Sequence, residues 1–141
     1  MEKLILLVAD YANVDQGGKL NVLGAFGRIY AHQFPAVHAS MYLVVKLGAD
    51  FEDFGKQKGL QVHFRDADGK VLMALPVMNF ALNAKTMPIP EVNFIIQVQN
   101  LMLPAPGQYD FEILVDDEEI GVLPLTVEQI TPPAPPPTLD V

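Results

Sequence analysis

The chain has 141 residues, 50% of them apolar and only 18% charged, with 17 acids against 9 bases for a net charge of −8. The length suits one domain whose core needs no covalent staple. The acidity disfavours nucleic-acid phosphates and anionic membrane surfaces as partners, and the absence of Cys excludes a disulfide scaffold or a thiolate metal site.

Leu4 to Ala9 is an unbroken apolar run closed by Asp10. It is shorter than the roughly 7–15 apolar residues of a secretory signal, Glu2 offsets Lys3, and Asp10 comes before any cleavage site. No apolar run reaches the roughly 18 residues of a membrane span. The expectation is a first core strand ending at Asp10-Tyr11, with the domain starting at Met1 of a cytoplasmic protein. Asn13 to Gly18 then reverses the chain.

Lys19 to Ala31 reads as one extended stretch punctuated by Gly24 and Gly27, with Phe26, Arg28 and Tyr30 on one face and Ile29 on the other. His38 to Leu47 is a long strand with Met41, Leu43, Val45 and Leu47 of one parity. Ala49 to Gly55 is the one helical candidate, a single turn capped by Asp50 and ended by Gly55. Lys58 to Arg65 alternates, with Leu60, Val62 and Phe64 opposite Gln61, His63 and Arg65. Asp66-Ala67-Asp68-Gly69 makes a hairpin turn in which Gly69 takes positive φ, and Val71 to Val77 returns until Pro76 ends it or confines it to an edge.

Val92 to Gln99 and Tyr109 to Val115 alternate in the same way. Asp116-Asp117-Glu118 makes a second hairpin, and Glu119 to Val127 closes the domain. The apolar parity of that last strand slips near Pro124, which predicts a bulge there. Seven to eight strands with turns between them predict an all-β, antiparallel two-sheet sandwich over residues 1–130. Five of the eight residues from Thr131 to Thr138 are Pro, so 131–141 is an extended tail in polyproline II that projects Leu139 and Val141 from the body.

The stretch PAPGQYDFEILVDDEEIGVLPLTV resembles the last hairpin of immunoglobulin-like sandwiches. The resemblance implies an immunoglobulin-like fold in which Gly107 precedes a tyrosine corner at Tyr109, its hydroxyl bonding backbone at Pro104 to Pro106. The antibody-type Cys pair and core Trp are absent. ADYANVDQGGKLNVLGAFGRIYA and the following FPAVHASMYLVVKL resemble a family of small uncharacterised bacterial proteins over residues 1 to about 128. That resemblance implies a bacterial intracellular protein and carries no activity or functional residue.

Chemistry-bearing patterns are weak. His32, His38 and His63 are the only imidazoles, too scattered for the three or four converging ligands of a zinc site. Asp66-x-Asp68-Gly69 lacks the bidentate acid that a calcium loop needs, since position 77 is Val. Ser40 is the only serine, outside any Gly-x-Ser-x-Gly elbow. Asp110, Glu112 and Asp116 to Glu119 form a dense acidic feature that reads as a solvated hairpin.

The shortage of charge, against roughly 25% in an average soluble domain, points to a surface hidden against a partner. The expectation is a non-enzymatic structural or protein-interaction module with no cofactor and no metal. It self-associates through an edge strand near Pro124, an apolar face or the tail, with Phe51, Phe54, Met87, Ile89, Pro124, Pro133, Pro136, Leu139 and Val141 as candidate contacts. The competing expectation is a sandwich that binds carbohydrate or calcium at loops 32–38, 49–57 and 83–91.

Overall fold

Period-two alternation puts one side of each strand in a common core and builds two packed sheets. The computed structural model describes residues 1–82, 91–131 and 136–138. Its strands are β1 (Glu2–Val14), β2 (Leu20–Phe26), β3 (Arg28–Ala31), β4 (Ala36–Gly48), β5 (Gln57–Arg65), β6 (Val71–Ala74), β7 (Met78–Ala81), β8 (Glu91–Leu103), β9 (Gly107–Val115) and β10 (Glu118–Gln129). One 3-10 turn at Phe51–Asp53 interrupts the all-β pattern. No helix among the described residues is long and apolar enough to cross a membrane.

The first sheet runs β2-β1-β4-β8 and the second β3-β10-β9-β5-β6, with β7 also pairing β5. Two expectations need correction. Ten strands lie among the described residues rather than seven or eight, because the run 19–31 is interrupted and an unexpected strand, β7, follows the run expected over 71–77. The run expected over Val71 to Val77 stops at Ala74, before Pro76, and β7 starts after it at Met78, yet both β6 and β7 pair β5. The run 20–31 breaks at Gly27 and changes sheets: β2 lies antiparallel to β1, while β3 lies parallel to β10. One ladder is therefore parallel in a sandwich expected to be wholly antiparallel. The same crossover separates Phe26, which packs on the core, from Arg28 and Tyr30, which are exposed.

Leu6 and Val8 of β1, Met41 to Leu47 at odd positions of β4 and Phe94, Ile96 and Val98 of β8 face Leu60, Val62 and Phe64 of β5, Phe111, Ile113 and Val115 of β9 and Leu125 and Val127 of β10. Phe64 is central. Its ring stacks on Tyr109 at 5.2 Å and tilts against Phe111 at 4.9 Å. Truncating such a buried ring to Ala costs about 3–5 kcal/mol.

Two reversals use one local device. Asp15 Oδ1 accepts the N–H groups of Gly17 and Lys19, and Asp66 Oδ1 accepts those of Asp68 and Lys70. In each the glycine at the fourth position, Gly18 or Gly69, takes positive φ. Both are Asp-x-x-Gly-Lys in the sequence, so the side chain closes the turn before the strands meet. The bulge expected near Pro124 lies earlier: the β9–β10 register shifts between Glu119 and Gly121, and Pro124 pairs regularly with Asp110. Ile120, the extra residue at the shift, packs on the core, and Leu123 and Leu125 do so after it.

The β9–β10 turn holds Asp116 at φ 50° and Asp117 at φ 66°, the left-handed pair that a two-residue hairpin needs. Asp116 is fixed by accepting the Gly59 N–H at 2.8 Å. Asp117 is exposed and has no such role. Asp117→Gly is expected to stabilise the fold by about 1 kcal/mol by removing the left-handed Cβ penalty, read as a higher urea midpoint with an unchanged slope.

Candidate functional site

The outward side chains of β5, β9 and β10 assemble the densest polar cluster in the second sheet. Arg65 pairs with Asp110, and His63 with Glu112, directly across the β5–β9 ladder. Arg65 Nε donates to Asp110 Oδ1 at 2.7 Å, Nη2 to Oδ2 at 3.1 Å, and Nη1 to Glu112 Oε2 at 2.9 Å. His63 Nδ1 lies 3.2 Å from Glu112 Oε1. The hydrogen bonds to Asp110 hold the Arg65 guanidinium above its ordinary pKa, against the effect of burial. Burial pushes Glu112 up, but hydrogen bonds from His63 and Glu119 and the charge of Arg65 bring it below 4.5. Glu119, from β10, is raised by sharing a hydrogen bond with Glu112.

This row borders a groove of about 510 Å³ lined by Arg65, Asp66, Asp68, Gln108, Asp110 and Pro124. The row's own carboxylates, Asp110 and Glu112, are engaged by Arg65. Ser40 sits elsewhere, on the first sheet, accepting from Gln97 Nε2 at 3.2 Å. Among the described residues no three His, Asp or Glu side chains converge to hold a metal ion. The three imidazoles lie apart: His32 beside the Ile130 carbonyl, His38 against Phe26 and His63 on Glu112.

A second charged group is buried at the end of the sandwich. Asp53, in the 3-10 turn, accepts the Asp50 N–H at 2.7 Å and the Lys58 ammonium at 3.0 Å, with the Met1 α-amine at 3.5 Å. Burial pushes its carboxyl up, and the Asp50 N–H, Lys58 and the α-amine outweigh that to hold it below 3.8. These contacts tie the start of β1 and β5 to the turn.

The expected contact residues do not form one patch. Phe54 is 8% exposed and bridges to Leu82, while Phe51, 6.1 Å away between ring centres, is 58% exposed. Pro124 is exposed on the outer face of the second sheet. Pro136 is exposed without regular structure. Met87, Ile89, Pro133, Leu139 and Val141 lie outside the described residues. The Tyr109 hydroxyl donates to the Ala105 carbonyl at 2.6 Å and accepts the Ala105 N–H at 3.3 Å, while Gly107 takes φ 150° between them.

The outer face of the first sheet carries an apolar belt, flanked on β4 and β8 by Ser40, Gln97 and Gln99 at one end and Lys46 and Asn93 at the other. Residues alternating with the core set put Ile5, Leu7, Ala9 and Tyr11 of β1, Tyr42 and Val44 of β4 and Ile95 of β8 on the far side. Val44 is 0% exposed there without belonging to the core between the sheets. Tyr11 meets Tyr42 edge-on at 5.3 Å, and Leu23, opposite Tyr11 on β2, is 70% exposed. Among the described residues the ion pair on this face is Lys46 with Glu91, at 3.0 Å. Sequence reasoning expected an apolar face without locating it, and missed the Arg65 row. The even-numbered residues Tyr42 and Val44 signalled the first, since both parities of β4 are apolar. The second has no local signal, because its basic and acidic halves lie 45 or more residues apart.

Residues 4–128 match a family of unknown function, DUF6941, and the chain belongs to that family. No curated protein matches the chain.

Because the folded Asp53 binds its proton less tightly than an unfolded Asp, its stabilisation is present above 3.8 and lost as pH falls through the lower folded value. Asp53→Asn is expected to cost about 2 kcal/mol at neutral pH, as for a hydrogen bond to a charged group. It should also flatten the loss of stability below pH 4 in pH-series denaturation. Tyr109→Phe is expected to cost about 1 kcal/mol by removing the bond to Ala105, again measured by urea unfolding.

Proposed function

We propose that this DUF6941 member is a non-enzymatic bacterial interaction module, immunoglobulin-like in architecture, that works by associating with itself. The observation that carries the reading is the outer face of the first sheet. A sheet face turned to water normally alternates polar residues against the core set. Here Leu7, Val44 and Ile95 form one cross-strand row, with Tyr11, Tyr42 and Leu23 beside it and one internally neutralised ion pair. A chain of net charge −8 meets its own copy with least repulsion over such a surface. The order β3-β10-β9-β5-β6, with β3 parallel to the final strand, supports the immunoglobulin-like reading.

A ligand-binding sandwich is the alternative, and the groove beside Arg65 favours it. That groove lies on the Asp66–Gly69 hairpin, not at the loops from which binding was expected. Of its carboxylates, Asp110 is engaged with Arg65 and Asp66 with the N–H groups of its own turn, so hydrogen bonding to a sugar through Asp68 and Gln108 is the chemistry on offer.

Light scattering across a dilution series tests self-association. The expected mass is a multiple of 15.5 kDa at high concentration, falling toward 15.5 kDa on dilution. A constant 15.5 kDa up to near-millimolar protein overturns the reading.

A further inference from the structure

The two sheets end in β2, β8, β3 and the β6–β7 pair. Three of these edges are short or broken. β3 has four residues, β6 and β7 have four each with Pro76 between them, and β2 has seven with Gly24 at φ 70° in its middle. Such interruptions are how sheet edges avoid pairing with other chains.

β8 differs. It has thirteen residues, pairs only β4 among the described strands, and runs without a break from Glu91 to Gln99 before Asn100 kinks it at φ 53°. Residues 92–109 contain no charged side chain, and 92–103 no proline. Apart from Glu91 at its start, which is paired with Lys46 of β4, neither charge nor Pro guards this edge.

We propose that β8 is the self-association edge, pairing antiparallel with β8 of a second copy and joining the two first sheets into one. This rests on the self-association reading above and moves its edge from Pro124 to β8. Pro124 lacks an N–H to donate, and it already pairs with Asp110 in the β9 ladder.

The regular stretch Glu91–Gln99 is self-complementary about Ile95. A two-fold axis there sets Ile95 against Ile95, Phe94 against Ile96 and Val92 against Val98. Apolar residues meet apolar residues on both faces, and no like charges oppose each other. It also sets Asn93 against Gln97. Asn93 Oδ1 is buried with no hydrogen-bond partner among the described residues, and Gln97 is exposed with a second amide N–H to donate besides the one given to Ser40. The second copy thus supplies the missing donor. On the outer face, Ile95 extends the Leu7–Val44 row across the junction.

The absence of native Cys makes cross-linking a clean test. Ile95→Cys, Gln99→Cys and Leu23→Cys are made singly in the full chain and oxidised mildly, with the mass of the unmodified chain measured in parallel. The expected result is a covalent dimer from Ile95→Cys at a rate at least tenfold above the other two. An associating chain that cross-links equally at Leu23 or not at Ile95 overturns β8 as the edge and leaves self-association standing. A chain that stays at 15.5 kDa and does not cross-link at Ile95 overturns both.

Discussion

One run of chain, Leu20 to Ala31, belongs to both sheets, and the remaining architecture is arranged around that fact. Its first part hydrogen-bonds antiparallel to β1, and its last part hydrogen-bonds parallel to β10. A strand serving two packed sheets must turn between its halves. Gly27 sits at the turn with no neighbouring atom within 4 Å of where a Cβ would be, and Gly24 takes the left-handed conformation just before it. At Gly24 any Cβ would also meet the Asp10 carboxylate at 2.6 Å. The crossover covers only the later half of β1 and of β10. Their uncovered halves approach each other at Gly121, where an added Cβ would lie 3.0 Å from Lys3 and 3.3 Å from Leu6. That flank of the sandwich is thus closed, partly by a shared strand and partly by close packing.

The opposite flank follows a different logic. There the first sheet ends in β8 and the second in the broken pair β6 and β7. Phe80 and Phe94 touch across the gap at 5.1 Å, and Phe64, Leu72, Met73, Leu101 and Met102 line a slot of about 290 Å³ farther along. The broken edge deters pairing and the unbroken one invites it. Charge is distributed to match. The second sheet carries Arg65, Asp110, Glu112 and Glu119 on its outer face, with the basic groups tying down acids that would otherwise repel. The first sheet carries almost none.

Much of the fold was legible because alternation is a local signal. Leu60, Val62 and Phe64 against Gln61, His63 and Arg65 names the inward face of β5 with no knowledge of its partners. The Asp-x-x-Gly-Lys reversals are equally local, since one carboxylate closes its own turn. The Ala105–Tyr109 bond spans four residues and is within reach of pattern reading. What escaped was long-range. The acids from Asp110 to Glu119 read as one solvated feature, but register sends Asp110 and Glu112 to Arg65, Asp116 to Gly59 and leaves Asp117 in water. The bulge was sensed from parity and set four residues late, because parity marks which residues disagree and not where the backbone absorbs the extra one.

The sequence by itself determined an all-β chain, the inward face of most strands, the two Asp-led reversals and the apolar character of both faces of β4. Those follow from φ/ψ preference, side-chain period and local hydrogen bonding, all readable within a few residues. Only the tertiary structure decided that the run 20–31 serves two sheets, that one ladder is parallel, that Asp53 is a buried charge with three partners, and that β8 stands at an edge. The reason is that pairing partners are chosen by packing over separations of tens of residues, and a strand's own sequence reads the same at an edge as in the middle of a sheet.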